Sequence, residues 1–230
     1  MAKKSTAGDD RMVAVEEALG KTEQFVEKNQ KLLMYAIMGI IIVVLVYFGY
    51  QKFYTSPMEK NAQDQIFMAQ KYFEMDSLNR ALYGDGNALG FLDIIDDYGR
   101  TKSGNLAKYY AGICYLKMGN FEEAIDYLES HDPVDQNIGP MALGAIGDAY
   151  MELNEPDRAV AYYLEAANDV DNDFTSPMFL YKAGMTYEML GAYEDAYDAY
   201  NRIFMEYYKS VEARSIERNI ARMKAMMEKE

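Results

Sequence analysis

Apolar positions along this chain follow three different rules. From Leu32 to Tyr50, nineteen residues run without a charge: LLMYAIMGIIIVVLVYFGY. Before that run, Met12, Val15, Leu19, Thr22, Val26, Asn29 and Leu33 recur at alternating steps of three and four, the stripe of an a/d-patterned helix. Beyond residue 100 the pattern is again helical, and it repeats itself.

The uncharged run predicts a transmembrane helix over 32–50. At about 1.5 Å per residue it spans ~28 Å, close to the ~30 Å hydrocarbon core of a bilayer. Lys31 and Lys52 bracket it, and Tyr35, Tyr47, Phe48 and Tyr50 lie toward its ends, where aromatic rings suit the interface. The run has no polar face, unlike most core helices of soluble domains. A charge-balanced stretch precedes it and no A-x-A-like site follows Tyr50, which predicts an uncleaved anchor. Lysines flank both sides almost equally. The short segment before the span and the long acidic domain after it place the N-terminus inside. The stripe over 1–31 predicts an amphipathic helix, and both a partner helix and a membrane surface fit it.

Three later segments share one pattern: AKYYAGICYLKMGNFEEAIDYLE from Ala107, LGAIGDAYMELNEPDRAVAYYLEAA from Leu143, and LYKAGMTYEMLGAYEDAYDAYNRI from Leu180. Each has Gly followed three residues later by Tyr (Gly112/Tyr115, Gly147/Tyr150, Gly184/Tyr187), then Ala nine residues on (Ala124, Ala159, Ala196) and a large side chain four further (Leu128, Tyr163, Tyr200). Gly and Ala let two helices approach, and the large residue fills the space beside them. Turn residues at Gly119-Asn120, Asn154-Glu155-Pro156 and Gly191-Ala192 separate the helices. Pro140 and Pro177 fall near helix starts, where Pro is tolerated.

This pattern resembles the tetratricopeptide repeat (TPR), a pair of antiparallel helices. Lys108, Leu143 and Leu180 stand where the repeat usually has Trp. The expected architecture is all-α: an N-terminal tail (1–31), the span (32–50), a linker with a degenerate first hairpin (51–104), three repeat units over 105–209 (about 105–138, 140–173 and 177–209) and a closing helix (210–230). In the degenerate unit, Phe67, Met68, Tyr72 and Phe73 predict one helix and Ala88, Phe91, Leu92, Ile94 and Ile95 a second, joined by a long connection from Asp76 to Asn87. The closing helix is expected to turn Val211, Ile216, Ile220 and Met223 inward, with Ser210 as its cap.

Charge and chemistry narrow the function. The net charge is −14. Acidic and basic residues cancel before residue 51, so the excess lies beyond it and argues against nucleic acid. Cys114 is the only cysteine and His131 the only histidine, which leaves no disulfide and no cysteine or histidine metal cluster. Asp169, Asp171 and Asp173 imitate a calcium loop, but Phe174 and Leu180 stand where Gly and Glu are needed. Gly84, Gly86 and Gly90 lack the spacing and the β-α-β context of a phosphate loop. Asp93, Asp96 and Asp97 read as a solvated helix face. The expectation is a non-enzyme with no catalytic residues, metal or cofactor.

The TPR resemblance implies that first helices line a concave side. The residues at the usual facing positions are Leu106, Tyr109, Ile113 and Leu116, then Met141, Gly144, Asp148 and Met151, then Met178, Tyr181, Met185 and Met189. Such a Met- and Tyr-rich face adapts to varied apolar partners. Tyr109/Ile113, Gly144/Asp148 and Tyr181/Met185 do not match the Lys and Asn of repeats that clamp chaperone C-termini. An anchor followed by a small acidic TPR domain is similar to the YfgM-type ancillary subunits of the bacterial Sec translocon. The EKNQK run (Glu27 to Lys31) and the stretch from Gly84 to Tyr110 resemble TPR proteins of Bacteroidetes-type bacteria. That resemblance implies a single-pass inner-membrane protein with a cytoplasmic N-terminus and periplasmic repeats. Its expected partners are the translocon, periplasmic chaperones or client polypeptides, and its expected role is that of an adaptor or chaperone-like factor. The alternative is a structural assembly subunit without a client groove.

Overall fold

The computed structural model describes the backbone of residues 7–133 and 137–229, and the side chains of this part from residue 28 onward. Every described element is helical. The chain divides into two compact units, residues 1–57 and 58–230.

The first unit is built on α1 (Ala7–Tyr50), followed by a short π-helical stretch, Gln51–Thr55. Its apolar part holds an 18-residue window of mean hydropathy 2.6, none of it buried by protein, so the helix is long and apolar enough to cross a membrane. Of the a/d stripe, Met12, Val15, Leu19, Thr22 and Val26 lie outside the described side chains.

The second unit contains α2 (Ser56–Glu74), α3 (Leu78–Tyr83), α4 (Phe91–Tyr98), and then three hairpins: α5/α6 (Lys102–Met118, Phe121–Glu129), α7/α8 (Ile138–Glu152, Pro156–Asp169) and α9/α10 (Thr175–Leu190, Tyr193–Glu206). Helix α11 (Ala213–Met227) closes the array on α10. The repeated Gly makes each hairpin possible. A β-carbon placed on Gly112 would lie 2.5 Å from Leu128 Cγ, on Gly147 2.6 Å from Tyr163 Cε1, and on Gly184 2.5 Å from Tyr200 Cε1. Each glycine therefore accepts the large residue four positions past the repeated Ala. Ala124, Ala159 and Ala196 are fully buried at the same contacts.

The turns repeat as well. Gly119, Asn154 and Gly191, each seven residues past the contact glycine, take left-handed backbone with φ of 81°, 60° and 76°, which ends a helix without strain for Gly or Asn. The next residue donates its N–H back to the tyrosine carbonyl: Asn120 to Tyr115, Glu155 to Tyr150, Ala192 to Tyr187.

The degenerate first unit differs from the expectation. Asp76 is left-handed (φ 56°) and Ser77 N–H returns to Tyr72 O, so the turn of the repeat is intact. Ala81 lies nine residues past Tyr72 and is fully buried. The region expected as a plain connection thus contains a helix, α3, which ends after six residues at Gly84. Gly84 and Gly90 cross so closely that a β-carbon on either would meet backbone, 2.2 Å from Ala88 O and 2.1 Å from Leu82 O respectively. Asp85 ties this loop, accepting from Tyr72 Oη at 2.7 Å and from the N–H groups of Asn87 and Ala88. Those donors hold its carboxyl down at about 2. Ala88 falls in this loop outside any helix, and Phe67 is exposed. The helix resumes at Phe91 and packs on α5. At the other end, Ile216 and Met223 are buried as expected but Val211 is exposed, because α11 begins only at Ala213. Ser210 Oγ accepts from Ala213 N at 3.2 Å.

Two buried clusters meet at α6, whose Ala124 packs into the first and whose Leu128 packs into the second.

Candidate partner-binding face

Helices α5, α7 and α9 are the first helices of the three hairpins and carry the sequence-predicted residues. Leu116, Asp148 and Met151 converge. Together with Phe121, Gly119 and the charged Lys117 and Glu152 they line a cavity of about 440 Å³ between the first and second hairpins. On α9, Met185 and Met189 sit one turn apart and are 52% and 60% exposed. Thr186 Oγ1 touches Met151 Sδ at 3.8 Å, joining α9 to α7. Tyr109, Ile113, Met141 and Met178 are half-buried and pack against the second core cluster. Tyr181 sets its ring 5.8 Å from that of Tyr200. Leu106 packs on the first cluster.

Gly144 does not belong to this face. It is buried, and a β-carbon there would lie 1.9 Å from Phe179 Cε1. Its role is to admit a ring from the next unit.

Asp148 is committed to internal bonds. Tyr163 Oη donates to its Oδ1 at 2.6 Å. Lys182 Nζ, 34 residues further on, donates to both carboxylate oxygens at 2.6 and 2.7 Å. The third hairpin repeats the device with other residues. Tyr200 Oη donates to Glu188 Oε1 at 2.6 Å, and Arg222 Nη2, again 34 residues further on, pairs with the same oxygen at 2.6 Å. Burial, then the adjacent carboxylate, pushes both tyrosine hydroxyls well above their ordinary value. They remain protonated donors across the physiological range. The repeat pattern marks Tyr163 and Tyr200 as space-fillers and does not reveal these ties; the signal available in the sequence was a cation 34 residues past a carboxylate.

A stacked tyrosine pair also recurs, Tyr115 on Tyr127 at 5.3 Å and Tyr150 on Tyr162 at 5.4 Å between centroids. Cys114 is buried, and desolvation pushes its thiol up to about 12, which removes it as a nucleophile at neutral pH. No group of His, Cys, Asp and Glu among the described residues is arranged to hold a metal ion. Asp171, from the D-x-D-x-D run, accepts from Tyr207 Oη at 2.6 Å.

Two family models described as tetratricopeptide repeat match the chain, one over residues 106–130 and one over 142–204. The chain carries tetratricopeptide repeats in both segments. Among solved structures, a crystal structure of the nearly identical TPR-like repeats of a kinesin light chain from Podospora anserina is similar to it. The TM-score is 0.54 at 12% identity, over 74% of this chain and 88% of that one. A crystal structure of MamA protein is similar with TM-score 0.51 at 15% identity, over 76% of this chain and 90% of that one. At such identities the likeness is one of fold. No curated protein matches the chain in sequence. TPR arrays are interaction scaffolds, typically without enzymatic activity, and imply protein partners. On the candidate face, Asp148 is neutralised by Lys182.

Proposed function

We propose that this TPR protein is a membrane-tethered adaptor or chaperone-like factor that holds polypeptide segments on α5, α7 and α9. The observation that carries the reading is the half-exposed pair Met185 and Met189 on α9, the helix whose Thr186 touches Met151 of α7. Flexible thioether side chains repack around varied apolar partners, as a protein receiving many different segments requires. The candidate contacts are Tyr109, Ile113, Leu116, Met141, Met151, Met178, Tyr181, Met185 and Met189. Asp148 is a contact only for partners that compete with Lys182.

The apolar stretch of α1 is the tether. A tether raises the local concentration of the repeats near other membrane components, so individually weak contacts suffice. The layout, similar to YfgM-type translocon subunits, supports an inner-membrane location with a cytoplasmic N-terminus and periplasmic repeats. It likewise supports work on chains leaving the Sec translocon, together with periplasmic chaperones. The second reading is an assembly subunit that binds only through its N-terminal helix. It is favoured by the length of α1, which extends well beyond the span.

Photocrosslinking in native membranes separates the two. A photoreactive residue at Met185 or Met189 is expected to capture polypeptides, whereas one at Phe67, exposed on α2, is not. Equal capture at all three positions, or none at α9, would overturn the adaptor reading.

A further inference from the structure

The first two hairpins carry the same tyrosine stack and border it with different charges. Tyr115 lies on Tyr127 with ring centroids 5.3 Å apart, and Tyr150 on Tyr162 at 5.4 Å. In the second hairpin the stack has a cation of its own. Arg158, eight residues past Tyr150, sets its guanidinium 3.9 Å from the ring centroid, donates to Tyr150 Oη and pairs with Glu155 at 3.1 Å. A planar cation held between a ring and a carboxylate gains from both.

Eight residues past Tyr115 the chain has Glu123 instead. The first stack therefore has a carboxylate at the position that supplies the cation of the second. Helix α3 adds a third tyrosine, Tyr83 at its end, which is 57% exposed. Burial first, then the hydroxyl of Tyr83 and the charge of Glu123, push the Tyr115 hydroxyl above its ordinary value. Burial, then the charges of Asp96 on α4 and Asp126 on α6, do the same to Tyr127. The three acids thus lie around the tyrosines. All three are exposed, and among the described residues none of them has an ion pair. Like charges gathered on one surface repel, and a cation placed among them removes that repulsion. Tyr115 itself is only 8% exposed, so a ligand meets Tyr83 and the half-buried Tyr127.

We propose that this surface, formed by α3, α4 and α6, binds an arginine side chain of a partner polypeptide. The guanidinium lies against the rings of Tyr83 and Tyr127, as that of Arg158 lies on Tyr150, and its N–H groups donate to the carboxylates of Glu123, Asp96 and Asp126. Arginine fits better than lysine, because a planar fork stacks on a ring and reaches more than one carboxylate at once. The site uses none of the candidate contacts on α5, α7 and α9, so it stands or falls independently of the role proposed for them.

The test uses the full chain in detergent micelles with ¹³C-labelled tyrosine rings, the signals of Tyr83 and Tyr127 being assigned through Tyr83→Phe and Tyr127→Phe. The blocked peptide acetyl-Gly-Arg-Gly-amide is expected to move both signals saturably. Its citrulline counterpart keeps the planar group and loses the charge, and is expected to leave them unmoved. The lysine counterpart is expected to bind more weakly. Glu123→Arg gives the first hairpin the internal cation that Arg158 gives the second, and is expected to weaken binding of the arginine peptide by about tenfold or more. Asp96→Asn/Asp126→Asn keeps the shape of the surface and is expected to weaken it about tenfold, the scale of a lost charge partner. Both variants alter only exposed side chains. The proposal is overturned if neither tyrosine signal responds to the arginine peptide, if the citrulline or the lysine peptide binds as tightly, or if either variant binds as tightly as the parent.

Discussion

The first hairpin and the two that follow it solve one steric problem with different chemistry. In all three, a glycine on the first helix receives a large side chain from the second. In the first hairpin that side chain is Leu128; in the others it is Tyr163 or Tyr200, each reaching past the glycine to a carboxylate. The apolar contact closes a hairpin. The hydroxyl, the carboxylate and a cation 34 residues on then bind one unit to the next helix in the array. The same fold position thus serves packing alone in one place and packing plus inter-unit registry in two others.

The comparison breaks most visibly at the glycines. Gly147→Ala is expected to cost about 2–3 kcal/mol, because the added carbon meets the ring of Tyr163 and the carbonyl of Ala159. Gly112→Ala should cost less, about 1–2 kcal/mol: the added carbon meets Leu128 and the carbonyl of Ala124 just as closely, but Leu128 is not tied by a hydrogen bond and can shift more easily than the ring. Urea midpoints of the two variants measure the difference, and equal costs would show that the tie does not stiffen the ring.

Removing single polar partners should cost less. Tyr163→Phe is expected to lose about 1.5 kcal/mol, the low end for a hydrogen bond to a charged group, because the pair of Asp148 with Lys182 stays in place. Lys182→Met should lose about 0.5–1 kcal/mol, since the side chains of Lys182 and Asp148 are 35% and 38% exposed and water screens the pair. Raising salt should erase the Lys182→Met effect and leave that of Tyr163→Phe. Leu128→Ile in the first hairpin should show no salt dependence at all.

The smallest effects are in pH. Tyr163 and Tyr200 ionise far less readily folded than unfolded. Their contribution is complete below about pH 10, the unfolded value, and is lost as pH rises above it. The unfolding midpoint should therefore fall above about pH 10 in the parent, and less in the variant Tyr163→Phe/Tyr200→Phe. Asp85 has the opposite sign. Its carboxyl, held down at about 2 by Tyr72 and two N–H groups, supports the 84–90 loop above about pH 4. That support fades as pH falls toward about 2, which amide exchange at Asn87 and Ala88 would register.

The hairpins were legible because each depends on a few residue types that nothing else replaces. Glycine at 112, 147 and 184 is the only side chain small enough for its contact. The turn positions 119, 154 and 191 need Gly or Asn for their backbone. The interrupted unit was less legible. Tyr72, Asp76 and Ala81 preserve the repeat's turn, but Ala69 stands where the others have Gly. A helix of only six residues, α3, carries too little periodicity to announce itself. Gly144 misled because its position in the repeat faces outward as a rule, whereas here Phe179 of the next unit occupies that space. The proposed Met-rich face could be read only through the usual facing positions of the repeat, because exposure belongs to the packed array and not to the residue.

By itself, then, the amino-acid order determined what is local: helix against turn, the close-contact glycines, and an apolar stretch fit for lipid, since each follows from one residue's size, backbone freedom or solvation. Only the packed array decided which polar groups meet. Asp148 finds Lys182, and Glu188 finds Arg222, because stacking brings residues one repeat apart to hydrogen-bonding distance. His131 keeps a nitrogen that no described residue bonds, because the loop holding it is fixed from a neighbouring helix. Such pairings depend on the packing of several helices at once: the 34-residue spacing from carboxylate to cation allows them, and only the stacked repeats show that they form.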